Sequence, residues 1–270
     1  MDDGAAAEQR AQLTRTPGLL RLGGREFAPG RPLVMAIVNR TPDSFYRPGL
    51  TWDEDAALER LHAAVADGAD IVDVGGVPAK PGPEVTVAEE IRRVVPFIER
   101  VRAAYPDLVI SADTWRHEPA RAMCAAGADL VNDTWSAWDP SVAEVRDQVT
   151  AEAERAVAAG VRPDGIVIDP AHDFGKNTWQ SLEITRRLAE LTATGWPVLV
   201  SASHKDFVGE ALGAGLDDRL AGTLAVTAVA AWLGARIFRA HDVRETRQAL
   251  DMVASIRGDR PPARAVRALA

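Results

Sequence analysis

Short apolar runs that end in polar residues recur along this chain. Leu33 to Val38 is apolar and partly β-branched, Asn39 ends it, and Pro42 forbids its extension. That pattern predicts a strand over about 33–39, buried on both faces. The signature returns at Asp70-Ile71-Val72-Asp73-Val74 before Gly75-Gly76, at Leu108-Val109-Ile110-Ser111 ending in Asp113, and at Asp129-Leu130-Val131 ending in Asn132-Asp133. It returns again at Gly165-Ile166-Val167-Ile168 ending in Asp169, at Pro197-Val198-Leu199-Val200-Ser201, and at Ala235-Arg236-Ile237-Phe238 ending in Arg239. Helical stripes lie between these runs. Thr51 with Glu54 and Thr86 with Glu89 have capping-box spacing; Leu58, Leu61, Val65 and then Ile91, Val94, Ile98, Val101 follow at helical period. A short helix with Pro119 in its first turn is expected to end at Gly127, and further helices over about 141–159, 178–194, 217–233 and 243–256.

The joints between helix and strand repeat as Gly68-Ala69-Asp70, Gly127-Ala128-Asp129 and Gly234-Ala235-Arg236. Alternation with one repeated joint predicts parallel, right-handed βαβ units of an α/β fold. No Gly-rich dinucleotide fingerprint follows the 33–39 strand, and polar strand ends recur throughout. Both points favour a TIM-type (β/α)8 barrel over an open doubly wound sheet. Leu19-Leu20-Arg21-Leu22 and Arg25-Glu26-Phe27 flank Gly23-Gly24, an N-terminal hairpin placed to plug one end of the barrel. The barrel is read as a single domain over 17–270, behind a polar, alanine-rich tail over 1–16 that is expected to be disordered. One stretch breaks the rhythm. Residues 134–164 hold a Trp-rich loop and an alanine-rich helix but no strand, so the barrel is expected to lack, or be shortened around, its fifth strand.

Composition narrows the function classes. The 270 residues are 47% hydrophobic and 26% charged, ordinary for a globular protein, and carry a formal net charge of -8. That balance disfavours nucleic acid and anionic membrane surfaces as partners. Cys124 stands alone in an alanine-rich run, so no disulfide or thiolate metal site is expected, and a small buried thiol is the expectation. The start, Met1-Asp2-Asp3-Gly4, has no basic segment followed by an apolar one, and no run approaches a membrane span. A cytoplasmic protein is the expectation.

In a barrel the C-terminal strand ends meet on one face, where barrel active sites lie. Here those ends carry Asn39, Asp73, Asp113, Asn132, Asp169, Ser201 with Ser203, and Arg239 with His241. A single acid there commonly caps the next helix, but Arg239, His241 and Lys205 are not N-capping types. Asp113, Asn132 and Asp169 suit a flat heterocycle with several hydrogen-bonding edges. Arg239, His241 and Asn39 suit an anion or a metal-bridged phosphate.

Asn39-Arg40-Thr41-Pro42-Asp43-Ser44-Phe45 resembles the Asn-x-Thr-Pro-Asp-Ser-Phe signature of the dihydropteroate synthase family. Gly68 to Gly76, Ser111-Ala112-Asp113-Thr114, Asn132-Asp133, Asp169-Pro170 with Phe174-Gly175-Lys176, and Arg239-Ala240-His241-Asp242 resemble its further blocks in order, over about 30–258. That family joins a dihydropterin methyl diphosphate to para-aminobenzoate and releases diphosphate. The resemblance implies that Asp113, Asn132, Asp169 and Lys205 hold the pterin, with Phe174 in the wall beside it. It implies that Asn39 ligates magnesium, that Arg239 and His241 bind the diphosphate, and that the protein is a homodimer through its last helices. Leu220, Leu224, Val226 and Trp232 are there expected to be mostly core.

The sequence departs from the family at its loops. Arg47 stands where an acid supports the cation, Val77-Pro78-Ala79-Lys80-Pro81-Gly82 replaces Glu-Ser-Thr-Arg-Pro-Gly, and Asp206 in Ser203-His204-Lys205-Asp206-Phe207 replaces a serine that seats the aminobenzoate. Asp206 is expected to repel that carboxylate. By length, roughly 35 residues around the fifth strand are missing, about one strand-helix unit. The expectation is a divergent, second-copy homologue with weak or lost synthase activity. A pterin-binding protein without turnover, and a methyltetrahydrofolate-type methyltransferase of the related barrels, are the alternatives.

Overall fold

The computed structural model describes residues 20–41, 53–78, 84–133 and 142–266. The tail 1–16, Leu19, Thr51, Arg47, Ala79 and Lys80 lie outside those residues. Strands β1 (Leu20–Leu22) and β2 (Arg25–Phe27) form the expected antiparallel hairpin. There follow β3 (Leu33–Asn39), α1 (Glu54–Ala66), β4 (Ile71–Gly75), α2 (Val87–Ala104), β5 (Val109–Asp113), α3 (His117–Ala125), β6 (Leu130–Asn132) and α4 (Val142–Ala158). The second half contains α5 (Thr178–Arg186), α6 (Leu188–Thr192), β7 (Leu199–Val200), α7 (Asp206–Leu212), α8 (Leu220–Trp232), β8 (Ile237–Ala240) and α9 (Val243–Arg257).

The sheet order is β6-β5-β4-β3-β8-β7, all parallel. The 166–168 run is reduced to one parallel bridge, Ile168 to Val198. All seven apolar runs therefore stand side by side, six as strands and one as a bridge. The sheet is curled: Arg239 of β8 reaches Asp113 of β5, with β3 and β4 between them. In a flat sheet those strands lie roughly 14 Å apart.

Curling separates two cores. Val34, Ala36 and Val38 of β3, with Val72, Val74, Ile110 and Phe238, face the helices. The alternate residues, Leu33, Met35, Ile71, Val109, Leu199 and Ile237, face inward and are closed from below by Leu20, Leu22 and Phe27 of the hairpin. Above this apolar plug the inward positions turn polar, as Asp73, Ser111, Asp113, Asn132 and Arg239.

The repeated joint is a repeated staple. Gly68, Gly127 and Gly234 have φ of 99°, 113° and 98° and end their helices with Schellman-type bonds, such as Ala69 N–H to Ala64 O and Ala235 N–H to Ala230 O. The third residue then ties the strand to its neighbour: Asp70 accepts from Val34 N (3.0 Å) and from Arg31 and Arg247, and Asp129 accepts from Ile110 N (2.9 Å) and Arg102. Arg236, at the third joint, donates to the carbonyls of Phe27 and Ala28 and so anchors the hairpin.

Several expectations are corrected. Asp53, not Thr51, caps α1, its carboxylate accepting from Ala56 N. Thr86 caps α2, but Glu89 turns outward to Arg92 and Arg93 instead of completing the box. The 178–194 helix breaks at Arg187, and α7 has no counterpart among the predicted elements. Cys124 is exposed, because Met123 takes the core position of α3. Helix α8 buries Thr223, Thr227, Ala230 and Ala231; Val226 packs half-buried against the outer core, while Leu220 and Leu224 are only half-buried and Trp232 is 58% exposed, so most of that group is not core.

Between β6 and Ile168 the described residues hold no strand. Helix α4 lies across that opening, with Val145, Val149 and Ala153 buried in the outer core. Val131 on the free edge of β6 is 50% exposed. A cavity of about 240 Å³ remains, reached from both sheet ends, since Leu130 and Leu199 both line it.

The staple gives a test. Asp70→Asn leaves Arg247 facing a neutral amide in a buried place and is expected to lower unfolding free energy in urea by about 3 kcal/mol. Asp55→Asn, which breaks an exposed pair with Arg100, is expected to cost under about 1 kcal/mol. Equal losses would remove the staple's special place.

Candidate functional site

The polar upper half of the barrel interior is built around Arg239. Its Nε donates to Asp73 Oδ2 (2.6 Å) and its Nη2 to Asp113 Oδ2 (2.9 Å). Asn132 Nδ2 donates to the same Asp73 oxygen at 3.2 Å. Burial opposes the Arg239 charge, and the two carboxylates more than offset it, so the guanidinium is held protonated. Gly75 allows this arrangement: a Cβ there would come within 3.2 Å of the Asp113 side chain. Asp73 Oδ1 and Ser111 Oγ, on register partners of β4 and β5, are buried with no hydrogen-bond partner among the described residues.

A second group lies across the barrel mouth. Asp169 accepts from Ala171 N at 2.7 Å, and burial raises its pKa against the pull of Lys205. Lys205 donates to His172 O and lies 4.6 Å from the centre of the Phe174 ring. Burial lowers its pKa to about 8, and the Asp169 charge limits the fall. The loop between them is shaped by Ala171 and Asp173, at φ of 52° and 65°, and fixed by Asp173, which accepts from Ser181 Oγ and Phe207 N. His172 is fully buried against Phe207, and burial pushes its pKa down to about 3, so it stays neutral.

Arg239 and His241 part company. Arg239 turns into the barrel, while His241 turns to Ser203, with Nδ1 and Oγ 2.9 Å apart. Burial, then the Arg239 charge, lowers the His241 pKa well below its usual value. His204, at φ 54°, places Nε2 2.6 Å from Asp242 Oδ2 and ties the β7 loop to the start of α9.

Asp113, Asn132, Arg239, Asp169, Phe174 and Lys205 therefore come together in two facing groups. Asn39 ends β3 opposite Gly75, half-buried. Among the described residues no three His, Cys, Asp or Glu side chains gather as a metal site. Asp206 is corrected in part: its carboxylate is paired with Arg219 at 2.8 Å, so its charge is offset rather than bare. Sequence reasoning left Asp73 among the strand ends without a role, although a lone acid at alternate spacing from Ile71 marks an inward position. His172, His204 and Asp242 gave no such signal, because each is placed by a loop.

Known proteins are similar to this chain along most of its length. Residues 35–145 and 136–241 match the family described as Pterin binding enzyme. The chain is 53% identical to Inactive dihydropteroate synthase 2 of Mycobacterium leprae, covering 92% of this chain and 99% of that protein. It superposes on the structure of Mycobacterium tuberculosis Rv1207 with TM-score 0.71 and 48% identity, covering 90% and 99% of the two chains. It superposes on Xanthomonas albilineans dihydropteroate synthase, solved with 4-aminobenzoic acid, with TM-score 0.81 and 34% identity, over 90% and 99%. The M. leprae alignment spans 287 positions, whereas 92% of 270 residues is about 248, so roughly 39 positions of that relative have no counterpart here. The two stretches that match the family overlap at 136–145, after β6 and into the first turn of α4, where the strand rhythm breaks.

The Lys205 environment is directly measurable. Only Lys80, Lys176 and Lys205 are lysines, so NMR of the reductively methylated protein resolves them. One signal, absent in Lys205→Arg, is expected to titrate near pH 8 rather than 10.5. Between those values the folded chain binds fewer protons than the unfolded chain, so stability rises with pH, by up to about 1.4 kcal/mol per pH unit. Lys205→Met is expected to flatten that rise; a rise that persists unchanged assigns it elsewhere.

Proposed function

The chain belongs to the dihydropteroate synthase family of pterin binding enzymes, and we propose that it is a divergent homologue that binds a pterin with weak or lost synthase turnover. The observation that carries the reading is the open wall between Asn132 and Asp169, where a helix stands in place of a strand, beside a floor whose polar groups are assembled.

On this reading Asp113, Asn132 and Asp169 present acceptors and an amide to the edge of the heterocycle. Lys205, protonated at neutral pH, donates to a ring carbonyl or nitrogen, with Phe174 beneath it. Arg239 and His241 face the diphosphate side. Turnover breaks the bond between the methylene carbon and the diphosphate oxygen and forms a bond from that carbon to the arylamine nitrogen. The leaving group needs positive charge, and the Arg239 guanidinium is already shared between Asp73 and Asp113, which weakens its field on an anion. Magnesium fits only as an ion arriving with the diphosphate, because Asn39 offers one amide oxygen and Mg²⁺ ordinarily keeps water and phosphate ligands. It would neutralise leaving-group charge. At the arylamine side, Asp206 and Arg219 satisfy each other, so no hydroxyl at that position is offered to a carboxylate.

A homodimer is part of the proposal. Val229 and Trp232 on α8, and Met252 and Ile256 on α9, are 49%, 58%, 59% and 62% exposed and repeat at helical spacing on two neighbouring helices. No described helix is long and apolar enough to cross a membrane.

Calorimetry is expected to show pterin binding, and Asp169→Ala is expected to weaken it at least roughly tenfold, or about 1.4 kcal/mol. Product formation from dihydropterin methyl diphosphate and para-aminobenzoate is expected to be at least about a thousandfold slower than in an active family member, a deficit of roughly 4 kcal/mol. Turnover at a comparable rate would defeat the reading. Separately, Trp232→Glu is expected to shift the protein from dimer to monomer in light scattering while its circular dichroism is unchanged.

A further inference from the structure

We propose that His204 is a positioning residue, whose clamped side chain holds the turn that sets Lys205 in the barrel mouth. The proposal deepens the pterin reading, in which Lys205 donates to the ring, and assigns His204 no ligand contact of its own.

The turn shows in the backbone. Lys205 N donates to Ala202 O at 3.3 Å and closes a four-residue turn with His204 in third place, at φ 54°. A type II turn demands a positive φ at that place, and glycine meets the demand without strain. Histidine there strains the backbone, and such strain persists only where the surroundings hold the residue. The surroundings do so on every side. His204 N donates to Thr223 Oγ1 at 3.1 Å, and its carbonyl accepts from Arg219 at 2.8 Å. Nδ1 lies 3.1 Å from Leu216 O, a group that only accepts and so makes Nδ1 the donor. Nε2 lies 2.6 Å from Asp242 Oδ2, and the side chain is 2% exposed.

Asp242 starts α9 yet makes no capping bond to that helix; its carboxylate turns to His204 instead. The contact also extends the strand register. Leu199 pairs with Ile237 and Val200 with Phe238, and the Ser203–His241 and His204–Asp242 contacts keep the same offset beyond the backbone ladder. The loop that carries Lys205 is thereby tied to the loop that carries His241. Lys205 depends on that tie. Its ammonium must meet His172 O and the Phe174 ring, in the field of Asp169, Asp173, Arg239 and Lys176. A flexible four-carbon stem does not choose that buried place unless its backbone is fixed.

His204→Gly separates the side chain from the turn, since glycine accepts the turn while the clamp is lost. With the lysines reductively methylated and no ligand present, the Lys205 signal is expected to titrate at least about one pH unit above its native value near 8, toward 10.5, as the ammonium reaches water. Asp242→Ala is expected to give the same shift, and the double variant no more than either alone. Asp70→Asn, at the opposite end of the barrel, is expected to lower stability and leave the Lys205 titration where it is. A native-like titration in His204→Gly, or an equal shift in Asp70→Asn, overturns the proposal. If His204→Gly does not fold, Asp242→Ala decides in its place. Pterin affinity is expected to fall at least roughly tenfold in His204→Gly by calorimetry. The titration is read without pterin, so a native chain that binds no pterin defeats the pterin reading while the shift still supports the role of His204.

Discussion

Inside the barrel the Arg239 guanidinium sits between Asp73 and Asp113, and the polar half of the interior depends on that contact. Asp73 is fully buried on β4, Asp113 lies on β5, and Arg239 comes from β8. Two inward carboxylates on neighbouring strands repel unless a cation lies between them. A guanidinium suits the task better than an ammonium, since its fork reaches two acceptors at once and stays charged when buried. The same contact holds β8 to β5, two strands that a flat sheet keeps apart, so it fixes curvature as well as charge. Asn132 joins through Asp73, which brings β6 into the same network.

Below this network the barrel is an ordinary apolar plug, and beside it the wall is open. The two facts are linked. Leu33, Met35, Ile71, Val109 and Ile237 meet the hairpin and need no contribution from a fifth strand. The upper layer does need one, because Asn132 and Asp169 flank the gap. Helix α4 faces the gap with Val149 and Ala153, and with Gln148 and Glu152 beside them. The shortened chain thus keeps its fold through the bottom and its polar floor through Arg239, and loses lateral definition at the mouth.

How much of this was legible in the sequence depends on how each residue is positioned. Asp113 and Asn132 end regular strands, Arg239 lies near the end of another, and Asp169 follows an apolar run of the same kind that forms a single bridge, so period and topology bring them to one face. The Gly-Ala-Asp joint was legible as a helix end, but the grip of Asp70 and Asp129 on the neighbouring strand was not, because it joins elements far apart in sequence. Helix α7 has seven residues, too short for a period to show. Cys124 and the large apolar residues of α8 were misplaced for one reason: an alanine-rich helix offers two acceptable faces, and packing chooses between them. His204 and Asp242 lie on loops whose course is set by backbone geometry, φ 54° at His204, and not by pattern.

The network around Arg239 also bears on why a floor survives where turnover is proposed to fail. Removing Arg239 leaves Asp73 and Asp113 as uncompensated buried charge, and removing either acid leaves a guanidinium without its partner; each change is costly in a low-dielectric interior. These residues are therefore required for folding whether or not a substrate is turned over. Asp206 carries no such structural debt: it is an exposed side chain at a helix start. A chain released from catalysis can change its loops and shorten its wall while its buried polar residues stay. An intact floor is then accounted for by folding, and the loops and the wall carry the argument about turnover.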